Sequence, residues 1–319
     1  MAIDVDRNIR YNRERKIQNE WAKRDFDKER MLEELYRETA ERLQRKIDEQ
    51  YLKYAKATGL TRAEAQKVIK GMDVPTWAKE AAKAVKYRDF SPETNKWLKA
   101  YNNRMYISRW ELLKAEIEIE LQKLHSEEHY LINKHLENEY IAELERQAGI
   151  LGNSATGSVE RVKRVVNADF YGTNFSENVW GRNGLYQVHK REIFGSLNRM
   201  YTDMDGYKKE RKYLMDRFNI KEREAMRLLK TESSRIRSQA QEDSYKENEF
   251  THYVWVLENG ACERCKKFEN KAIPIEKFEV GVTAPPIHPN DKCSTYGIIS
   301  MKKKDGTSNI DGFEPFGGI

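Results

Sequence analysis

Three cysteines and one histidine near the C-terminus carry the plainest chemistry in this chain of 319 residues. Cys262 and Cys265 form a Cys-x-x-Cys pair just after Glu258-Asn259-Gly260, a turn that aims two sulfurs at one point. Pro285-Pro286-Ile287-His288-Pro289 follows, and Cys293 lies five positions beyond His288. Structural zinc takes four Cys or His ligands at tetrahedral corners, usually as two pairs closed by a loop. Cys262, Cys265, His288 and Cys293 supply that set and use every cysteine in the chain. The bland alternative is three buried thiols and a surface histidine. A redox Cys-x-x-Cys is a poorer reading, because a depressed thiol pKa takes a helix N-terminus in a βαβ setting. A catalytic zinc would keep one position open for water, and four protein ligands leave none. The expectation is therefore one structural Zn2+, stapling a loop-rich segment over 252–299 that has little core of its own. Without metal, 253–299 is expected to lose its fixed structure.

The elements that must position these residues can be read from glycine and proline punctuation. No Gly or Pro precedes Gly59, so a helix can run from about Asn8 to Ala57, with Trp21, Phe26, Met31, Leu32, Leu35, Leu43, Ile47 and Tyr51 near helical spacing. At 1.5 Å per residue that helix is about 70 Å long, more than a small domain buries. Thr61-Arg62-Ala63-Glu64 reads as a capping box opening a short helix that stops at Gly71. Ser91-Pro92-Glu93 starts another helix, uninterrupted from Glu93 to Ala148, with Trp110, Leu113, Ile117, Leu121 and Leu124 as a stripe that Glu128 breaks. Residues 1–150 thus read as an extended antiparallel stalk.

Gly149 to Gly157 is the clearest linker. Beyond it, 169–185 is turn-rich around Trp180, and helices are expected over 186–200, 207–218 and 221–246. The last of these carries Thr231-Glu232. His252 to Leu257, with Trp255, is β-prone, and 301–319 has no periodicity and reads as a mobile tail. The fold class expected is mainly α with a small α+β C-terminal part: a helical stalk, then a compact zinc-stapled domain over 158–300.

Composition agrees with this shape. Charged residues make up 34% and hydrophobic residues 39%, against averages of about 25% and 45–50%. So polar a chain, if ordered, needs much surface per residue, while 17 Tyr and 6 Trp argue against disorder. The net charge of +6 permits nucleic-acid contact without requiring it. No run of about 18 apolar residues occurs, so no membrane span is expected. The N-terminus has no apolar core of a secretory signal, so the thiols are expected to stay reduced in a cytosol.

The order of these pieces resembles the phage head-morphogenesis proteins, also called minor head or Mu F-like minor capsid proteins. The residues that carry it, within 170–296, are Phe175 to Trp180, Leu229-Lys230-Thr231-Glu232, Tyr253-x-Trp255, Cys262-x-x-Cys265 and Pro286-Ile287-His288-Pro289-Asn290. The family's usual His-Pro-x-Cys-Arg-Cys ending departs here. Asp291 stands where the first cysteine would be and Cys293 matches the second, which leaves Asp291 open as a further zinc ligand. Lys230 stands where Arg is common. The resemblance implies a non-enzymatic virion protein of the head interior near the portal vertex, assembled in the host cytoplasm. Its implied partners are the portal protein and other head or scaffold proteins, and in some members phage DNA. Trp180, Thr231, Glu232 and Trp255 are expected to be structural, with Glu232 paired to Arg235 or a distant strand.

Other chemistry is weaker. Glu116-x-Glu118-x-Glu120 lies on a stalk helix and reads as a charged face. His125-Ser126-Glu127-Glu128-His129 puts its glutamate one position late for a metalloprotease motif. The rival function is a zinc-stapled DNA-binding or nuclease-like protein; a nuclease would need a second catalytic histidine near His288, and a DNA-binding module predicts affinity that falls steeply with salt.

Overall fold

The computed structural model describes residues 2–55, 92–152, 158–202, 207–301, 308–314 and 316–318. The capping box at Thr61 and Glu64, the stop at Gly71 and the Ser91 cap lie outside them. Two long helices dominate: α1 (Ala2–Ala55) and α2 (Pro92–Leu151). They are followed by α3 (Val159–Val166), α4 (Phe175–Trp180), α5 (Leu185–Thr202) and α6 (Tyr207–Glu247). Then come β1 (His252–Val256), the one-turn helix α7 (Glu263–Lys266), β2 (Ala272–Pro274), a 3-10 turn at Ile275–Lys277, and β3 (Ser294–Ile298). The expected mainly α chain with a small C-terminal sheet is what forms.

Two differences from the sequence reading have simple causes. The helices expected over 207–218 and 221–246 are one helix, because neither Gly nor Pro lies between Phe218 and Lys221 to stop it. The turn-rich stretch 169–185 contains α4, which Asn174 and Glu177 open as a capping box: Glu177 N donates to Asn174 Oδ1 at 2.9 Å, and Asn174 N donates to Glu177 Oε2 at 3.1 Å.

The chain divides into two compact units, Met1–Leu35 with His125–Gln187 and Ile220–Ile319, and Tyr36–Leu124 with Val188–Asn219. Both draw on residues from either side of the Gly149 to Gly157 stretch. The second unit is a helical core in which Leu43, Ile47, Leu113, Ile117, Leu121, Ile193, Leu197 and Leu214 are buried, and the His189 ring meets Phe218 edge-on at 4.5 Å. Glu116, Glu118 and Glu120 pair with Lys46, Lys190 and Arg42 there, the charged helix face that was expected.

The first unit holds the sheet, of strand order β2-β1-β3 with both pairs antiparallel. Strand β1 is apolar on both faces because both are covered. Tyr253 and Trp255 face a core with Tyr245, Phe268, Ile273 and Phe278, while Val254 and Val256 face Tyr296, Ile298, Ile310 and Phe313. Ile310 and Phe313 come from the tail that was expected to be mobile, and Arg7 stacks its guanidinium 4.0 Å from the Phe313 ring. The N-terminal part of α1, expected in a stalk, is built onto the sheet. Gln18 Nε2 donates to the Val256 carbonyl at 2.7 Å, and Arg10 Nη1 donates to that of Gly297 at 3.1 Å. Within this unit, polar residues of α1 occupy buried positions at helical spacing: Glu14, Gln18 and Asp25. Their charges are met by arginines, with Arg146 forked onto Glu14 at 2.7 and 3.0 Å and Arg237 onto Asp25 at 2.6 and 2.9 Å.

Candidate metal centre

Strand β1 ends at Val256, and a turn at Glu258–Ala261 reverses the chain with Gly260 at φ +77°, a conformation glycine adopts without strain. The turn delivers Cys262 to the N-cap of α7 and Cys265 into its single turn. Their sulfurs lie 3.7 Å apart. The second half of the site arrives on the loop between a cis Pro285–Pro286 bond and β3. His288 Nε2 stands 3.3 Å from Cys262 Sγ and 3.2 Å from Cys265 Sγ. Its Nδ1 is 2.9 Å from the Pro289 carbonyl; donating there leaves the Nε2 lone pair toward the sulfurs.

These separations fit a tetrahedral ion. With Zn–S of about 2.3 Å and Zn–N of about 2.0–2.1 Å, the S···S and S···N edges come to about 3.8 and 3.5 Å. Cys265 belongs to a second group as well: its sulfur, a carboxylate oxygen of Asp291 and the Cys293 sulfur lie within 4.8 Å of one another. Asp291 Oδ2 is 3.7 Å from Cys265 Sγ. The expected ligands thus fall into two triads that share Cys265, one with Cys262 and His288 and the other with Asp291 and Cys293. Among the described residues, no other cluster of three or more His, Cys, Asp or Glu groups draws its ligand atoms so close.

The electrostatics suit a cation. A hydrogen bond from Cys293 pulls the Cys265 thiol down to about 7, against burial and the Asp291 charge, and the same bond and burial push the Cys293 thiol up. Burial works to lower the His288 pKa, but the Pro289 carbonyl and Cys265 outweigh it and raise it to about 9. Metal ligation takes deprotonated thiolate and neutral imidazole, so binding a cation here releases protons.

Of the residues expected to be structural, Thr231 reaches the candidate loop and the other three have partners elsewhere. Thr231, on α6, accepts the Asn290 amide on its hydroxyl at 3.2 Å. Glu232 and Arg235 form the expected pair, at 2.8 Å and almost fully buried. Arg235 also donates to the Val165 and Val166 carbonyls at 2.9 and 3.0 Å, closing the C-terminus of α3. Trp255 stacks on Phe268 at 4.5 Å and donates its indole N–H to the Thr283 carbonyl at 2.8 Å. Trp180 is half-buried, 5.4 Å from the Tyr186 ring and 6.3 Å from that of His129. His125 meets Glu128 at 3.0 Å and His129 stacks on Phe175 at 5.0 Å, so these two histidines face separate partners.

Two contributors were missed in the sequence. Thr283 receives the Tyr253 hydroxyl at 3.0 Å as well as the indole, and its own hydroxyl bonds the Lys277 carbonyl, which folds the 277–283 loop under β1. Asn290 sits at φ 62°, and the signal was present: asparagine after proline is a residue that tolerates the left-handed turn.

No curated protein and no solved structure matches the chain. Residues 202–296, under a third of the chain, match the family model described as phage Mu protein F like protein. The match runs from the end of α5 into β3 and contains Thr231, Glu232, Trp255 and all the candidate ligands; Trp180 lies before it. The segment that builds this cluster is thus the one similar to the phage Mu protein F-like family, which supports the resemblance to phage head-morphogenesis proteins.

Proposed function

We propose that this protein acts in phage head assembly at or near the portal, through contacts rather than catalysis, and that Cys262, Cys265, His288 and Cys293 hold one structural Zn2+. The observation that carries the reading is the thiol–imidazole cluster lying inside the segment that matches the head-morphogenesis family. Soft thiolate donors with an imidazole favour zinc over magnesium or calcium, and four protein ligands close the coordination shell. The ion then fastens the 258–293 loops, whose backbone makes few strand contacts, to α6 through Thr231. The partners proposed are the portal protein and other head or scaffold proteins, with contact to phage DNA as an additional role. No described helix is long and apolar enough to cross a membrane.

Co-expression of the chain with its portal and scaffold proteins, followed by quantitative mass spectrometry of purified procapsids, tests the assembly role. A few copies per particle, lost when the portal is omitted, are expected. Absence from particles, with the chain instead on nucleic acid at low salt and released steeply as salt rises, would overturn it in favour of a DNA-binding module.

A further inference from the structure

We propose that Asp291 is the positioning residue of the metal centre and not one of its ligands: its carboxylate folds the 287–293 loop so that His288 and Cys293 are presented together. The inference rests on the reading of this cluster as a metal site.

Asp291 is fully buried. Its Oδ2 accepts the Ile287 amide at 3.0 Å and its Oδ1 accepts the Cys293 amide at 2.9 Å. One carboxylate thus grips the backbone on both sides of His288, and the second grip is on the ligand residue Cys293 itself. Its own amide donates to the His288 carbonyl at 3.2 Å, and Asn290 at φ 62° turns the chain between them. The loop is closed from inside by a single side chain.

The 3.7 Å from Oδ2 to Cys265 Sγ would suit either role, and the positioning role is favoured by the grip of both oxygens on the loop backbone. Each oxygen already serves a backbone N–H. With the four ligands proposed above, a carboxylate would be a fifth where structural zinc takes four. Among the described residues no Lys or Arg pairs with Asp291, and a buried carboxylate without a partner is costly. The Ile287 and Cys293 amides are its hydrogen-bond partners instead. A carboxylate in this outer position orients its neighbours and strengthens their hold on the ion.

Cobalt(II) titrated into the full-length protein tests this, because its thiolate charge-transfer band counts sulfurs and its ligand-field bands report the donor set. For Asp291→Asn, which keeps one carbonyl acceptor, the account expects unchanged bands and an affinity about 10- to 100-fold lower. For Asp291→Ala it expects the charge-transfer loss that Cys293→Ser shows, because Cys293 is no longer presented. Shifted ligand-field bands with full charge-transfer intensity in either Asp291 variant would make Asp291 a ligand and overturn the proposal. Wild-type affinity and spectrum in Asp291→Ala would also overturn it, leaving Asp291 a packing residue. Failure of the wild-type chain to bind cobalt or zinc at all would instead remove the metal reading, and this inference with it.

Discussion

The amide of Asn290 donates to the Thr231 hydroxyl across 3.2 Å, while that hydroxyl donates to the Arg227 carbonyl at 2.8 Å. The back-bond within α6 fixes the hydroxyl hydrogen and leaves a lone pair aimed at the ligand loop. Thr231→Val keeps the shape and removes the acceptor. A net contribution of about 1 kcal/mol for such a bond corresponds to roughly five-fold in metal affinity. Competition against a chelating dye should show that loss in Thr231→Val and recovery in Thr231→Ser; equal affinity in all three would detach α6 from the site.

Arg235 ties α6 to the end of α3 through a buried ion pair and two carbonyls. Replacing it with alanine leaves the Glu232 carboxylate buried without its partner and takes one donor from each of the Val165 and Val166 carbonyls. A broken buried pair of this kind costs about 3–5 kcal/mol. Arg235→Lys restores the charge without the planar fork and should recover only part of it. Denaturant unfolding followed by helicity measures both, and an Arg235→Ala protein of unchanged midpoint would show that the pair contributes nothing.

Acid should weaken the first unit through Asp25. Burial works to raise this carboxyl, but Arg237 and His135 outweigh it and hold it at about 2, below its ordinary 3.8. The folded state therefore binds this proton less readily than the unfolded chain. Its stabilisation is complete above about pH 4 and disappears as the pH falls towards 2, amounting to about 2 kcal/mol. Stability measured across that window should fall less steeply in Asp25→Asn than in the wild type. Parallel slopes would mean that the Arg237 fork does not set the acid response.

Gly297 leaves no room for a side chain. A Cβ at this position of β3 would stand 2.6 Å from the Phe250 ring. Gly297→Ala should cost about 1–3 kcal/mol by overpacking, and Phe250→Leu beside it should return part of that. A melting temperature unchanged by Gly297→Ala would show that the ring moves freely.

The candidate ligands were legible because chemistry repeats locally: a turn, two cysteines three apart, and a histidine and cysteine five apart. The long helices were legible because α1 and the bulk of α2 lack Gly and Pro. What joins the candidate loop to α6 was not, since the Thr231 bond to Asn290 links residues far apart in sequence, as do the Arg235 bonds from α6 to 165 and 166. The buried face of α1 was misread for a related reason. Phe26 and Met31, apolar and near helical spacing, are 58% and 48% exposed, whereas Glu14 and Asp25 are buried. Charge marks a solvated face only until an arginine from another helix meets it, and Arg146 and Arg237 are invisible from α1 alone. The strand β2 is three residues long, too short to announce itself by alternation.

Native mass spectrometry of the purified full-length chain, with and without a strong chelator, would count the metal ions the chain holds. One zinc ion per chain is expected, removed by the chelator and missing from Cys265→Ser, because the Cys265 sulfur belongs to both triads. A chain that carries no zinc, or a Cys265→Ser variant that keeps it as tightly as the wild type, would contradict the metal reading.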